Sequence, residues 1–270
     1  MNVEGLIINK TPYKERDLIC QLLLRSGNVL SIYFYGGRGG GKNIKGSILE
    51  VGHMIKIELT TRKKKIESDL HMAKEYQLIW APHSIRLHFQ AYYLSIFFME
   101  YISKIALQED IEFISGENQG LFNVLSNGLF YLDKACNEKP QLANHMFFYF
   151  TKLCIHLGVV PGVDHCLYCD CDLKEDLVYF DVQDGGFSCL DCTSKKDEFL
   201  SENKNLLSEY QSSLRLKQKL KFIFKMNYSL ENIENLNIDM GMCHAMFNYI
   251  NYQFGFSKDQ FRTWSQVGHT

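Results

Sequence analysis

The chain has 270 residues, 46% of them apolar and 22% charged, with a formal net charge of −2 at pH 7. That is the composition of a folded protein with room for two or three modules, and it excludes a disordered or low-complexity chain. No run of 18 apolar residues occurs, so no membrane span is expected, and Glu4 with no basic lead into an apolar stretch predicts no export signal and a cytoplasmic location.

The charge is unevenly spread. Residues 1–78 hold 13 Lys and Arg against 8 Asp and Glu, a surplus of five positive charges, while the remainder holds 16 against 23. Such segregation points to a polyanionic partner for the N-terminal piece. In that piece Val3–Ile8, Asp17–Arg25 and Val29–Tyr35 are short apolar or β-branched segments, with Ser26-Gly27-Asn28 as a hairpin turn between the second and third. His53–Thr60 alternates apolar and polar residues, and a further strand resumes from Ile66. Five strands with no helix between them predict a small β-barrel over 1–79, and the OB-fold is the common five-stranded barrel that binds ligands through its loops.

The third strand runs into Gly36–Asn43, GGRGGGKN, one residue short of a P-loop. A P-loop needs a helix behind the glycines and Ser or Thr behind the Lys; here Asn43 follows Lys42 and the pattern returns to strand. The loop therefore reads as a phosphate contact without hydrolysis, a nucleotide hydrolase using Lys42 being the rival reading. Lys14 and Arg16 in the first connection, Arg38, Lys42 and Lys45 in the glycine loop, and Arg62, Lys63, Lys64 and Lys65 in the fourth connection are the candidate DNA-binding residues. Alternation sets Tyr33 and Tyr35 on one face of the third strand and Phe34 on the other, one set to stack on bases and one to fill the barrel.

From Ala81 the period becomes helical. Leu87–Ile105, Leu121–Ala135 and Gln141–Leu157 predict the first part of a helical domain over 80–160, closed by Gly158 and Pro161. Helical patterning returns at Glu202–Phe224 and Met240–Phe254 in a second part, 197–270, with the Asn-rich 227–239 read as a loop. Between them, 161–196 carries Cys166-Leu-Tyr-Cys169 and Cys189-Leu-Asp-Cys192, two CxxC pairs at four-thiolate zinc spacing. Asp184-Gly185 between two apolar stretches predicts a zinc-ribbon hairpin. Four thiolates fill a tetrahedron and leave no place for a reacting water, so one structural Zn2+ and no catalytic residue is the reading, with Cys171 and His165 outside the ligand set. Cys154 and Cys243 lie on apolar helical stretches and read as core thiols beside His156 and His244.

The order of these motifs resembles the bacterial recombination mediator RecO family. The resemblance is carried by Gly5-Leu-Ile-Ile8, Tyr13-Lys-Glu-Arg-Asp-Leu-Ile19, Gly36-Gly37-Arg38, Leu157-Gly-Val-Val-Pro161 leading into Cys166-Leu-Tyr-Cys169, and Phe180–Cys189. It implies an α+β multidomain protein: an N-terminal five-stranded OB-fold β-barrel followed by an all-helical domain with an inserted four-cysteine zinc knuckle. It further implies a non-enzymatic DNA repair and homologous recombination mediator. Such a protein binds single- and double-stranded DNA, anneals complementary strands, partners RecR and the C-terminal tail of single-strand binding protein, and helps load RecA. A zinc-ribbon adaptor that binds only proteins is the further alternative.

Overall fold

A computed structural model describes residues 1–39, 47–60, 70–106, 120–173, 177–196 and 206–268. Period-two patterning becomes a closed barrel: β1 (Asn2–Tyr13), β2 (Asp17–Leu24), β3 (Val29–Phe34), β4 (Met54–Leu59) and β5 (His71–Trp80) pair in the order β1-β2-β3-β5-β4, with β4 returning to β1. The pairs are antiparallel except β3 with β5, which run parallel through Ile32 with His71 and Tyr33 with Met72. This is the OB arrangement. The interior holds Ile7, Leu22, Ile32, Phe34, Ile55 and Ile57, and β4 alternates buried and half-buried along its length as a one-sided strand must. Neighbouring β1 and β2 do not alternate. Leu6, Ile7 and Ile8 are all buried, as are Leu22, Leu23 and Leu24, because helix α1 (Phe89–Ile105) packs over β1 and covers a second face. Gly5 is needed at this crowded edge: a Cβ there would lie 2.7 Å from the Leu23 carbonyl oxygen.

Contacts divide the chain into two units, Met1–Pro140 and Gln141–Thr270. The first unites the barrel with α1 and α2 (Gly120–Ala135). In it, Asp133 on α2 accepts the backbone N–H groups of Ser84 and Ile85 at 2.8 and 3.0 Å, fixing the chain between β5 and α1. Phe97, Phe98, Tyr101 and Ile102 of α1 and Leu125, Leu129 and Leu132 of α2 are fully buried, so the aromatic stripe seen in the sequence is core.

The second unit is built around α3 (Leu142–Leu157), where every side chain from Asn144 to Thr151 is buried. A helix apolar on all sides must be wrapped by others, and α5 (Leu206–Phe224), α6 (Leu230–Glu234) and α7 (Met240–Phe254) pack on it. Gly158 ends α3 at φ 71°, the left-handed conformation that lets its N–H reach back to the last turn. Cys154 and Cys243 are buried in this core, and burial pushes both thiols up. The segment 227–239, expected as loop, contains α6. Five residues are too few to show a helical period. Ser229 caps the turn by accepting the Asn232 N–H at 3.1 Å, and Glu234 fastens it by meeting His145 Nε2 at 2.9 Å.

Between α3 and α5 stands a small hairpin, β6 (Val178–Asp181) and β7 (Gly186–Cys189), followed by α4 (Leu190–Lys196). Phe180 and Phe187 face each other with centroids 4.9 Å apart, and Tyr249 of α7 closes on Phe180 at 5.8 Å. Ser213 of α5 accepts the Phe180 N–H at 3.1 Å, and Lys217 donates to the Leu173 carbonyl at 2.6 Å. These contacts fix the hairpin to the helices of its own unit. A last short helix, α8 (Trp264–Val267), lays Trp264 flat on Phe247 at 3.7 Å. No helix among the described residues is long and apolar enough to cross a membrane.

Candidate functional site

Two sets of residues carry chemistry, a thiol cluster in the second unit and a cationic rim on the barrel. The cluster starts from the first CxxC, where the Asp170 N–H reaches back to the Cys166 carbonyl at 3.0 Å. Asp170 itself adopts φ 57°, a conformation that short polar side chains tolerate. This curls Cys166 and Cys169 toward one point. The Tyr168 and Cys189 N–H groups both aim at the Cys166 sulfur, at 3.5 and 3.3 Å. Across the hairpin, Cys189 ends β7, and Thr193 on the next turn accepts from the Ser188 hydroxyl at 2.8 Å while its own hydroxyl donates to the Cys189 carbonyl at 2.9 Å. Cys192 follows in the first turn of α4.

The Sγ atoms of Cys166, Cys169, Cys171 and Cys189 all lie within 4.8 Å of one another, and Cys169 and Cys189 are 3.7 Å apart. A tetrahedron with bonds of about 2.3 Å has edges of about 3.8 Å, so the cluster has the dimensions of a four-thiolate metal site. The sulfurs divide electronically. Burial works against ionising Cys166, but amides of Cys169, Cys189 and Tyr168 outweigh it and bring the thiol down to about 6. Cys169 is lowered by the Cys171 amide first and then by the Cys171 and Cys192 thiols, against the Cys166 thiol, which raises it. Cys171 and Cys192 are raised to about 12, each chiefly by its hydrogen bond to Cys169. Sulfurs that share protons this closely are the donor set that a soft-liking divalent cation takes over, displacing the protons.

The structure thus brings together three cysteines of the two CxxC pairs, Cys166, Cys169 and Cys189, with Cys171, which spacing alone had set aside; Cys192, the expected fourth ligand, is outside that mutually close group. The signal for Cys171 was its place two residues beyond Cys169. His165 points elsewhere: its Nδ1 meets Asp172 Oδ1 at 3.1 Å, across an isolated bridge between the two residues.

The rim forms where the turn after β1 meets the chain leaving β3. Lys14 turns the first connection at φ 53° with its ammonium 5.3 Å from the Tyr13 ring centre. The Arg38 N–H donates to the Arg16 carbonyl at 2.9 Å, and the Arg38 guanidinium reaches the Glu15 carbonyl at 3.4 Å. Asp17 locks the junction, accepting the Gly36 N–H at 2.8 Å on one oxygen and the Tyr33 hydroxyl on the other. The Gly36 amide, followed by Tyr33, holds its carboxyl below the ordinary 3.8. Lys14, Arg16 and Arg38, all exposed, therefore sit on two connections tied to each other. Lys42, Lys45, Arg62, Lys63, Lys64 and Lys65 lie outside the described residues, and with Lys42 the nucleotide-hydrolase reading.

The aromatic expectation needs correcting. Phe34 fills the barrel, edge-on to Tyr76 at 5.1 Å, but Tyr33 is buried too and spends its hydroxyl on Asp17. Tyr35, 82% exposed, is the one aromatic of the three open for stacking. Strand alternation breaks down at β3 because its outer face is closed by the first connection.

No family model matches the chain. Over 61 residues it is 34% identical to the DNA repair protein RecO of Syntrophomonas wolfei, a stretch that makes up 23% of this chain and 24% of that protein.

Proposed function

We propose that the protein is a RecO-like mediator of DNA repair and homologous recombination that binds single- and double-stranded DNA without breaking a bond. The observation that carries this reading is the lacing of Arg38 to Arg16 beside Lys14, on the loop side of an OB barrel. It is supported by the partial likeness to a RecO protein and by the thiol cluster, which is in keeping with the four-cysteine knuckle that the resemblance implies. Phosphates on two strands meet a shared cationic rim, their mutual repulsion falls, and complementary bases pair. Tyr35 offers a ring on which an unpaired base stacks, a contact indifferent to sequence. Lys42, Lys45 and Arg62–Lys65 are the remaining cations proposed to meet phosphate. Such a protein works with RecR and the tail of single-strand binding protein to help load RecA, and its DNA partner puts it with the nucleoid in the cytoplasm.

The metal is one Zn2+ per chain. Bound, it supplies a rigid cross-link and no Lewis-acid chemistry, because thiolates fill its coordination. Cys166, Cys169 and Cys189 hold it, with Cys192 as the fourth ligand of the two CxxC pairs.

The test is strand annealing of complementary oligonucleotides without nucleotide, together with duplex affinity measured across salt concentrations. The full chain is expected to anneal and to lose affinity with a log–log slope near −4 to −5. Replacing Lys14, Arg16 and Arg38 by Ala should reduce that slope by about 2 to 3, at ~0.9 per phosphate contact. An unchanged slope in the triple variant removes the rim from the interface. Annealing that needs ATP and is lost in Lys42→Ala would favour the hydrolase.

A further inference from the structure

A tetrahedral ion has four positions, yet the knuckle carries five cysteines, 166, 169, 171, 189 and 192. Cys166, Cys169, Cys171 and Cys189 form one mutually close group. Cys192, absent from that group, stands three residues past Cys189 in the first turn of α4, near enough for its thiol to interact with those of Cys169, Cys189 and Cys166. Cys171 in turn meets Cys169 and Cys189. Three sulfurs, those of Cys166, Cys169 and Cys189, are therefore common to both arrangements, and Cys171 and Cys192 approach them from separate elements. Cys171 is tied to the first knuckle through its carbonyl, which accepts the Cys166 N–H at 2.9 Å. Cys192 rides on α4, one turn past Cys189. Cys171 is exposed and Cys192 half-buried, so a rotation about χ1 can turn either thiol toward or away from the ion with little change in burial.

Resting on the zinc reading above, we propose that the centre has two interchangeable fourth ligands, Cys171 and Cys192, on a fixed base of Cys166, Cys169 and Cys189. The exchange swaps one zinc–sulfur bond for another. The incoming thiol gives its proton to solvent as it binds, and the departing thiolate takes one up, so neither the charge of the site nor any oxidation state changes. At each moment one of the two thiols is unbound and open to solvent. The consequence is a zinc that survives loss of either outer cysteine, and a thiol beside it that electrophiles reach alternately at two positions.

Brief alkylation of the zinc-loaded full chain with N-ethylmaleimide, followed by peptide mapping, reads this directly and needs no variant to fold. The expected result is a single adduct within 166–192, divided between Cys171 and Cys192, with Cys166, Cys169 and Cys189 protected. An adduct confined to Cys171, with Cys192 always protected, overturns the proposal, as does the reverse. Metal content gives the second readout. Cys171→Ser and Cys192→Ser should each keep one zinc, with affinity within about tenfold of the parent chain, whereas the double variant should lose at least a hundredfold. If Cys192→Ser alone loses its zinc while the parent chain holds one, the exchange is wrong and the zinc reading stands. A parent chain that binds no zinc overturns both.

Discussion

Asp17 shows how one side chain joins two connections of the barrel. Its carboxylate takes the Gly36 amide and the Tyr33 hydroxyl, and these donors, the amide first, favour the ionised form. A carboxyl whose pKa is depressed in the folded state contributes stability that is complete above its unfolded value and disappears as pH falls through the folded one. Asp17→Asn is accordingly expected to lower the urea midpoint of the 1–140 unit at pH 7. The gap from the parent chain should close as pH drops from 3.8 downward. Paired unfolding curves at several pH values check this, and a gap constant with pH would show that the charge of Asp17 does not matter. The sequence exposes Asp17 only as a polar residue opening a strand. Its two partners lie 16 and 19 residues away, and a pairing that distant is set by barrel closure.

At the scale of elements, α3, α5 and α7 were legible because a helix of 15 residues or more repeats its period often enough to be read. The short α6 was not, and neither was the double-sided burial of β1 and β2, since both depend on what packs against them. Helix α7 starts behind Asp239, whose carboxylate accepts the Met242 N–H at 3.0 Å. Asp239→Ala removes that cap and should destabilise the 141–270 unit by about 1 kcal/mol, measured by urea unfolding; Asp239→Asn, which keeps an acceptor, should cost less. The hairpin β6–β7 was readable from Asp184-Gly185, with Gly185 at φ 74°. Its attachment through Phe180, Ser213 and Tyr249 was not.

For the whole molecule, the division at Pro140 matters most for the metal. The thiol cluster and the helices that clasp its hairpin belong to the second unit, so a metal held there would be coupled to the folding of that unit. On the proposed zinc reading, a strong chelator is expected to lower the thermal stability of 141–270 and to speed amide exchange in β6, β7 and α4. The barrel strands should keep their protection. Loss of protection throughout the chain would mean that the units fold as one.

Composition, period and spacing by themselves determined that this protein has a basic strand-rich N-terminal piece, a helical remainder and a paired-cysteine insertion. Those are properties of neighbouring residues, and local sequence carries them. The tertiary structure decided that α1 and α2 fold with the barrel, that Tyr33 is consumed by Asp17, and that Cys171 stands among the close thiols. Each is a meeting of residues or elements that the chain reaches only by closing a barrel or curling a knuckle, and the spacing of two CxxC pairs says nothing of where a neighbouring sulfur turns.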